Sequence, residues 1–594
     1  MIEKLEQIMT HIISQKPLTK VQFDDARRKM ASKLKMKQPS NHDLLPVYQN
    51  LVKKKSIMRD KHIEFLLRKA QIRTLSGVAI ITSLTKPYAC PGQCIYCPTE
   101  TKMPKSYIAS EPAAARALGL NFDPYEQMQR RIKMLEQNSH PTDKIEYIIK
   151  GGTWNSYPLK YQYWFILRSF EACNDLTHKN KRLKDCKIRR LNKKRNNLSI
   201  FQSYNLEQLH KKLNIEQEYN DKKARHKIIG LTLETRPDAI TPTTIFHMRQ
   251  QGCTRIELGL QAPDDKILEL VKRGHTVQQF KDAMYLLRQA GFKVDLHFMP
   301  GLPGSTPEHD VEMYKQLFSD PGFKPDMVKI YPCTVIKNTE LYQWLKDKKY
   351  KPYDEKELFD AIIQMKVNTP RYCRISRLIR DIPANEIEGG NIITNLRESL
   401  QTEMKIRGFA CQCLRCREVG HASPLLSKER DRVRSLPKLF IDTYETIGGT
   451  EYFLSYEDQK RQTVFAFLRL RIPLLGKEGL GVVETSSKST PSKLPLSKGE
   501  NVLSILPEIK DCAFIRELHT YGQLISLQHK STSAQEHNKI QHTGLGKKLV
   551  QEAETIAKKN KFKKVAVISG VGVRGYYRKL EYRKKGTYMI KTLK

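Results

Sequence analysis

Six short apolar or β-branched strings recur between residues 76 and 330, and helix-length amphipathic segments separate them. They are Gly77–Thr82, Lys144–Ile149, Ile228–Leu233, Arg255–Gly259, Lys293–His297 and Met327–Ile330. One separator, Val277 to Ala290, has helical periodicity and is closed by Gly291. Strand–helix alternation predicts an α/β fold with a parallel sheet and crossover helices, here a partial barrel. Ligand sites in such sheets sit at the carboxyl ends of the strands.

Around this unit the composition shifts. Residues 1–75 repeat Ile2, Leu5, Ile8, Met9, Ile12 and Ile13 at helical spacing and hold 17 Lys/Arg against 7 Asp/Glu, which predicts a basic helical module. The stretch from Thr177 to Ile200 carries ten Lys/Arg and one Asp and reads as a basic insertion. Residues 371–440 are irregular and Arg-rich. Residues 441–594 form a second α/β unit, interrupted at 474–508 by a Gly-, Ser-, Pro- and Lys-rich surface loop. The expected domains are therefore 1–75, 76–370 with the 177–200 insertion, a linker at 371–440, and 441–594.

The formal net charge is +41. An excess of this size draws a polyanion, because released counterions then supply affinity. A membrane surface is also anionic, but no apolar run approaches the roughly 18 residues of a spanning helix. The N-terminus lacks the apolar core of a signal peptide. The expected location is cytoplasmic, with a nucleic acid as partner and no membrane.

Six of the twelve cysteines fall in two tight clusters, which favours metal or cluster binding over cross-links. Cys90, Cys94 and Cys97 follow the first predicted strand. Three thiolates so spaced suit three irons of a [4Fe–4S] cluster, and leave the fourth iron open to chelate the methionine end of S-adenosylmethionine. Reductive cleavage there yields a 5′-deoxyadenosyl radical. No fourth Cys or His lies near enough to close a structural zinc site. Tyr96 stands where such enzymes stack an aromatic ring near adenine. Gly151-Gly152-Thr153, after the second strand, would let backbone approach the methionine moiety. Cys411, Cys413 and Cys416 suit tetrahedral zinc, with Cys373 or His421 as fourth ligand, a second iron–sulfur cluster being the alternative.

Near the C-terminus, Gln541-His-Thr-Gly544-Leu545-Gly546-Lys547 opens a helix. A glycine turn feeding a helix N-terminus presents free N–H groups to the pyrophosphate of coenzyme A. This is the Q-x-x-G-x-G pattern of GNAT acetyltransferases, and a strand precedes it (Ile515 to Leu518) while another follows (Lys564 to Ser569).

Together with Glu234-Thr-Arg-Pro-Asp238, Gly252-Cys-Thr-Arg-Ile-Glu-Leu-Gly259, Arg273-Gly-His-Thr276, Arg380-Asp-Ile-Pro383 and Ile515-Arg-Glu-Leu-His-Thr-Tyr-Gly522, these motifs resemble the Elongator catalytic subunit family of tRNA uridine acetyltransferases. The resemblance runs from about residue 76 to the C-terminus, the two insertions excepted. It implies a radical SAM barrel, a zinc-binding linker and a GNAT domain. It further implies that a radical activates acetyl-CoA, whose acetyl carbon joins C5 of the wobble uridine in the tRNA anticodon loop to give 5-carboxymethyluridine. By the same resemblance Glu517, Leu518, His519, Thr520, Leu545, Gly546 and Lys547 line the acetyl-CoA site. Lys144 and Tyr577 contact acetyl-CoA and act in catalysis, Tyr577 as a proton donor to the departing thiolate. Glu581 replaces the family's usual glycine. A protein lysine acetyltransferase and a non-catalytic tRNA scaffold are the competing readings; a homodimer, the electron donor and the choice of tRNA stay open.

Overall fold

The computed structural model describes residues 2–68, 76–176, 203–419, 437–474, 501–521 and 544–594. The 177–200 insertion, all of the 474–508 loop between 475 and 500, His421 and Gln541 lie outside the described residues.

Seven parallel strands form the first sheet, in the order β1 (Ala79–Leu84), β2 (Lys144–Lys150), β3 (Lys227–Thr235), β4 (Arg255–Gln261), β5 (Lys293–Phe298), β6 (Met327–Ile330) and β8 (Arg374–Arg377). β7 (Val335–Ile336) pairs separately with β9 (Ile387–Gly389). The alternation predicted the parallel sheet, and the sheet stays open between β1 and β8 as a partial barrel. The first strand starts two residues later than expected, since Gly77 sits at φ +75°, a left-handed geometry that cannot continue a strand. β8 falls in the segment read as linker. Only Ile375 of its four residues is a buried apolar side chain, so it leaves no apolar run in the sequence.

Side chains on successive strand residues point to opposite faces, and here the two faces differ sharply. Along β4, Ile256, Leu258 and Leu260 join the apolar core, while Arg255, Glu257, Gly259 and Gln261 line the interior cavity. Along β5, Val294, Leu296 and Phe298 pack outward against Lys293, Asp295 and His297 inward. The helices that cover the outer face are started by side-chain caps: Thr241 with Thr244, and Thr276 with Gln279, form reciprocal capping boxes, an arrangement that satisfies two otherwise free donors. Helix Val277–Gln289 ends at Gly291, φ +77°.

The second sheet runs β10 (Lys438–Thr446), β11 (Gly449–Glu457), β12 (Val464–Pro473), β13 (Cys512–Thr520), β14 (Lys564–Val567), β16 (Tyr588–Thr592) and β15 (Arg583–Lys585). Its pairs are antiparallel except β13 with β14. That parallel pairing stops at Ile515 and Val567, while β13 continues to Thr520 beside β12. The sheet therefore opens between β13 and the turn after β14. Helix Leu545–Lys559 packs Leu549, Val550, Ala553 and Ala557 into the same core as β12, β13 and β14. The far end of the 474–508 loop is structured: Val502, Leu506 and Ile509 are buried.

Four helices, Ile2–Ser14, Lys20–Lys33, Asn41–Lys53 and Lys61–Leu67, form the N-terminal module. Ile8, Met9 and Ile12 pack against Phe23 and Tyr48 in a core of its own. Arg68 Nε donates to the Ser139 carbonyl at 2.8 Å, and Gln49 Nε2 to that of Gln137 at 3.3 Å, tying it to the barrel. Among the described residues no helix is long and apolar enough to cross a membrane.

The two sheets share an interface of buried charge. Arg516 on β13 donates to Asp326 at 2.8 Å, to the Phe292 carbonyl at 2.8 Å, and to Glu451 on β11 at 3.0 Å. Arg288 donates to Glu451 at 2.8 Å, and Arg469 to the Tyr372 carbonyl at 2.8 Å. All of these charged groups are buried. The surrounding arginines, Arg516 foremost, hold the Asp326 carboxyl far below the usual range despite its burial. Removing one partner of a buried pair strands the other's charge, at a cost of about 3–5 kcal/mol. Asp326→Ala should destabilise the chain by about that amount in urea unfolding, whereas exposed Glu207→Ala on a surface helix should leave the midpoint unchanged.

Candidate functional site

The cysteine loop crosses the carboxyl end of the barrel. Ile95 N donates to the Val271 carbonyl at 3.2 Å, and Leu341 N to that of Ile95 at 3.0 Å, so elements after β4 and β6 clasp it. Within the loop, Cys97 N donates to the Cys94 carbonyl at 3.1 Å, and Gly92 N to Cys90 Sγ at 3.4 Å. Arg273 Nη1 lies 3.7 Å from Cys94 Sγ, and its Nη2 donates to the Gly259 carbonyl at 2.8 Å. A hydrogen bond from Cys97, aided by the Arg273 charge, draws the Cys94 thiol down to about 4 against its burial. The same hydrogen bond, together with burial, pushes Cys97 up. A ready thiolate is what a metal ligand requires.

The structure allows the donor sets to be tested against their ions. Around one tetrahedral zinc, with Zn–S near 2.3 Å, sulfurs stand roughly 3.8 Å apart. Cys411, Cys413 and Cys416 have all ligand atoms within 4.8 Å of one another and fit a single ion. Cys90, Cys94 and Cys97 do not form such a single-ion set, although Cys94 and Cys97 are close enough to hydrogen-bond. One buried polar atom beside that loop, Arg236 Nη1, has no hydrogen-bond partner, which suits a polar ligand held there. Arg236 is otherwise pinned, to Asp238 at 2.9 Å and to the Arg273 carbonyl at 2.9 Å. Cys373 lends its carbonyl to Leu414 N at 2.9 Å, but its thiol is outside the second set.

From the cysteine loop a single cavity of about 1160 Å³ passes down the barrel to the second sheet. Cys90, Cys94, Tyr96, Cys97, Gly152 and Thr153 line its upper end, and Thr153 Oγ1 is 3.8 Å from Cys90 Sγ. Gly151 is turned away: its carbonyl accepts from Tyr157 Oη at 3.4 Å, and a Cβ there would collide with Thr85 Oγ1. The lower end is lined by Glu517, Leu518, His519, Ser569, Gly570 and Tyr577, where the second sheet opens.

Among the residues named from the second unit, Gly544 caps helix Leu545–Lys559 in a left-handed conformation, φ +68°. Gly546 packs so closely that a Cβ would sit 2.9 Å from Tyr576 Oη and 3.3 Å from Thr520. Lys547 is exposed at this first turn. Glu517 is engaged structurally, accepting from Arg469 Nε at 2.9 Å and lying 3.6 Å from Lys293 Nζ. These cations hold it at about 2 in spite of burial. His519 stacks on Phe467 at 5.8 Å, and burial lowers it to about 4. Burial pushes the Tyr577 phenol well up, so it keeps its proton. Lys144 stands exposed at the amino end of β2, outside the cavity wall. Its register partner Lys227 adjoins the Gly570–Gly572 turn of the second unit. Glu581 sits at φ +70°, so the glycine it replaces would relieve strain.

Sequence reasoning passed over the charged lining between these ends: Glu146, Lys150, Glu234, Glu257, Asp295, His297 and Lys329. The signal was present as alternation of charged and apolar residues, complete in β5 and interrupted at Ile148 in β2 and Gly259 in β4. On a one-sided sheet that alternation means solvent; on a barrel it means the lumen.

Comparison with known proteins gives two family models: the radical SAM superfamily matches residues 85–317, and the radical SAM C-terminal domain residues 325–406. A tRNA uridine(34) acetyltransferase of Methanocaldococcus infernus is 39% identical over 93% of this chain and 92% of its own length. That of Methanocaldococcus jannaschii is 40% identical over 93% and 90%. Elongator complex protein 3 of Saccharomyces cerevisiae is 34% identical over 90% and 87%. The solved structure of Methanocaldococcus infernus Elp3 with an N-terminal deletion aligns with TM-score 0.65 and 36% identity, covering 87% of this chain and 99% of that one.

At the lower end of the cavity Gly570 abuts β3. A Cβ there would strike the Ile229 carbonyl, which is backbone and cannot swing aside. Glycine-to-alanine at an ordinary φ usually stabilises, and Gly570 has φ −63°. Gly570→Ala should instead destabilise, on the order of 1–3 kcal/mol as overpacking does, measured by thermal unfolding.

Proposed function

The chain belongs to the family of tRNA uridine(34) acetyltransferases that includes Elongator complex protein 3, and from that membership we propose that it attaches the acetyl carbon of acetyl-CoA to C5 of the wobble uridine of tRNA, giving 5-carboxymethyluridine. The observation that carries this reading is the single cavity joining the cysteine loop to the opening of the second sheet. A radical generated at one end and a thioester held at the other would share one cavity, so a small fragment could pass between them within the protein.

Cys90, Cys94 and Cys97 would hold the [4Fe–4S] cluster that radical SAM membership implies. Bound with S-adenosylmethionine, that cluster supplies a 5′-deoxyadenosyl radical. Tyr96, Gly152, Thr153 and Arg236 form the wall on which S-adenosylmethionine would rest. In the second unit, the parallel β13–β14 pair that splays apart, with a helix packed across it, supports reading it as a GNAT domain. Amides at the start of helix Leu545–Lys559, after left-handed Gly544, suit the pyrophosphate of coenzyme A. Tyr577, protonated and lining the cavity, holds a proton where a thiolate would leave. Cys411, Cys413 and Cys416 would hold zinc against β8, ordering the linker. The basic N-terminal helices would grip the phosphates of tRNA.

Cys94→Ala should lose iron and retain zinc after anaerobic reconstitution, while Cys413→Ala should do the reverse, read by metal analysis. Cys94→Ala should also abolish carboxymethyluridine yet still bind acetyl-CoA. Tyr577→Ala should keep the cluster and cleave S-adenosylmethionine under reductant, but fail to modify tRNA. A Cys94→Ala enzyme that modifies tRNA normally would sink the radical reading in favour of plain acyl transfer. Deleting residues 1–75 should flatten the salt dependence of tRNA binding, measured by filter binding across a salt series.

A further inference from the structure

Midway down the barrel, just below the cysteine loop, five ionisable side chains crowd the cavity wall. Glu234 on β3 and Glu257 on β4 are direct register partners, as are His297 on β5 and Lys329 on β6. Two glutamates directly opposite repel, and cations from either side hold them. Lys150, the last residue of β2, is ion-paired with Glu257 and lies 3.8 Å from Glu234. Lys329 is ion-paired with the same Glu257 oxygen. Tyr107 Oη donates to Glu234 at 2.8 Å. His297 Nε2, on a buried residue, faces Glu257 at 3.7 Å, a contact longer than an ordinary hydrogen bond.

Stability does not explain this arrangement. Buried ion pairs seldom outperform apolar packing of the same volume, and two glutamates in direct register add repulsion to the cost. All five groups line the cavity, so a ligand can complete them. Its chemistry can be read from the wall. The two carboxylates are balanced by Lys150 and Lys329, so this tier offers no net positive charge to draw a phosphate. The carboxylates and His297 lie close enough for one metal ion, but the two ammonium groups already on Glu257 repel a divalent cation. The wall presents donor, acceptor, donor: Lys150, Glu257, Lys329. Each lysine has three N–H groups and the carboxylate several lone pairs, so the row can bind a ligand without breaking its own pairs. A thioester offers acceptors alone and would leave Glu257 facing an oxygen. The complementary edge is acceptor, donor, acceptor: O4, N3–H and O2 of uracil. Cytosine presents an amine and an unprotonated N3 in place of the first two.

We infer that Lys150, Glu257 and Lys329 are the row that docks the Watson–Crick edge of the flipped target uracil and rejects cytosine, and this rests on the proposed uridine substrate. Bases handled by enzymes out of the stack are commonly read by hydrogen bonds to that edge, and a site built to pair with a polar group rejects an analogue that lacks it. The row holds the base between the cysteine loop above and the second sheet below.

The test uses the full-length reconstituted enzyme and anticodon stem-loop RNAs carrying uridine, N3-methyluridine or cytidine at the wobble position. Product is read by mass spectrometry, and kcat and KM are separated for each RNA. The expected result is a loss of roughly 100-fold or more in kcat/KM for both analogues. Analogues modified within about threefold of uridine would overturn the docking row while leaving the proposed function intact. Absence of product from the uridine RNA would overturn both. In Glu257→Gln, whose amide can donate as well as accept, the uridine-to-cytidine ratio should fall by about tenfold or more. The ratio is taken within the variant, so a general loss of rate cancels, and a ratio equal to the wild type's would also overturn the row. If this variant fails to fold, the analogue series on the unaltered enzyme decides alone.

Discussion

Arg516 is the tie on which the rest of the structure depends. Its guanidinium joins a carboxylate of the barrel, Asp326, to a carboxylate of the second sheet, Glu451, and also takes the Phe292 carbonyl at 2.8 Å. All of these side chains are buried, so neither domain could present its half of the network to water without a large desolvation imbalance. The two domains are thereby fixed in one relative placement, with Arg249 donating to the Thr587 carbonyl at 2.6 Å and Tyr588 to that of Ala290 at 2.8 Å beside it. Only in that placement do the bottom of the barrel and the opening of the second sheet face each other. The continuous cavity follows from the interface.

A cavity of this kind makes the barrel unusual in its polarity. The aliphatic side chains of β2, β4 and β5 face the covering helices and the charged ones face inward. Stability comes from the outer shell, where burial of aliphatic side chains dominates. The lumen is left free for chemistry. Its lower tier is ion-paired and hydrogen-bonded: Arg255 with Glu146 at 2.8 Å, and Ser376 with Asp295 at 3.0 Å. The tier beneath the cysteine loop sets two glutamates in direct register between two lysines.

Local features were legible in the sequence and convergent ones were not. The two cysteine clusters each lie within eight residues, and their spacing alone fixes how far apart the thiolates can be. The six barrel strings were readable from β-branched periodicity, because the outer face follows the ordinary rule of apolar packing. Arg516 stands inside a recognisable string, yet its partners lie 190 and 65 residues away, and nothing local marks them. β8 escaped because a four-residue edge strand with one buried aliphatic residue has no periodicity to detect. The charged lumen escaped for a different reason. Alternation shows which residues share a face, but whether that face meets water or a closed cavity is a property of the whole barrel.

The same closure resolves an electrostatic tension in the chain. Its net charge of +41 attracts any polyanion to the surface without regard to sequence, because phosphates are alike. At the cavity's middle Glu234 and Glu257 are balanced by Lys150 and Lys329, so the basic field of the exterior gives way to paired charges of both signs, whose interactions a low-dielectric wall strengthens. In the proposed reading, capture by charge at the surface and selection by hydrogen-bonding pattern in the cavity are separate tasks. The second depends on the buried Arg516 network, which fixes the two domains around the cavity.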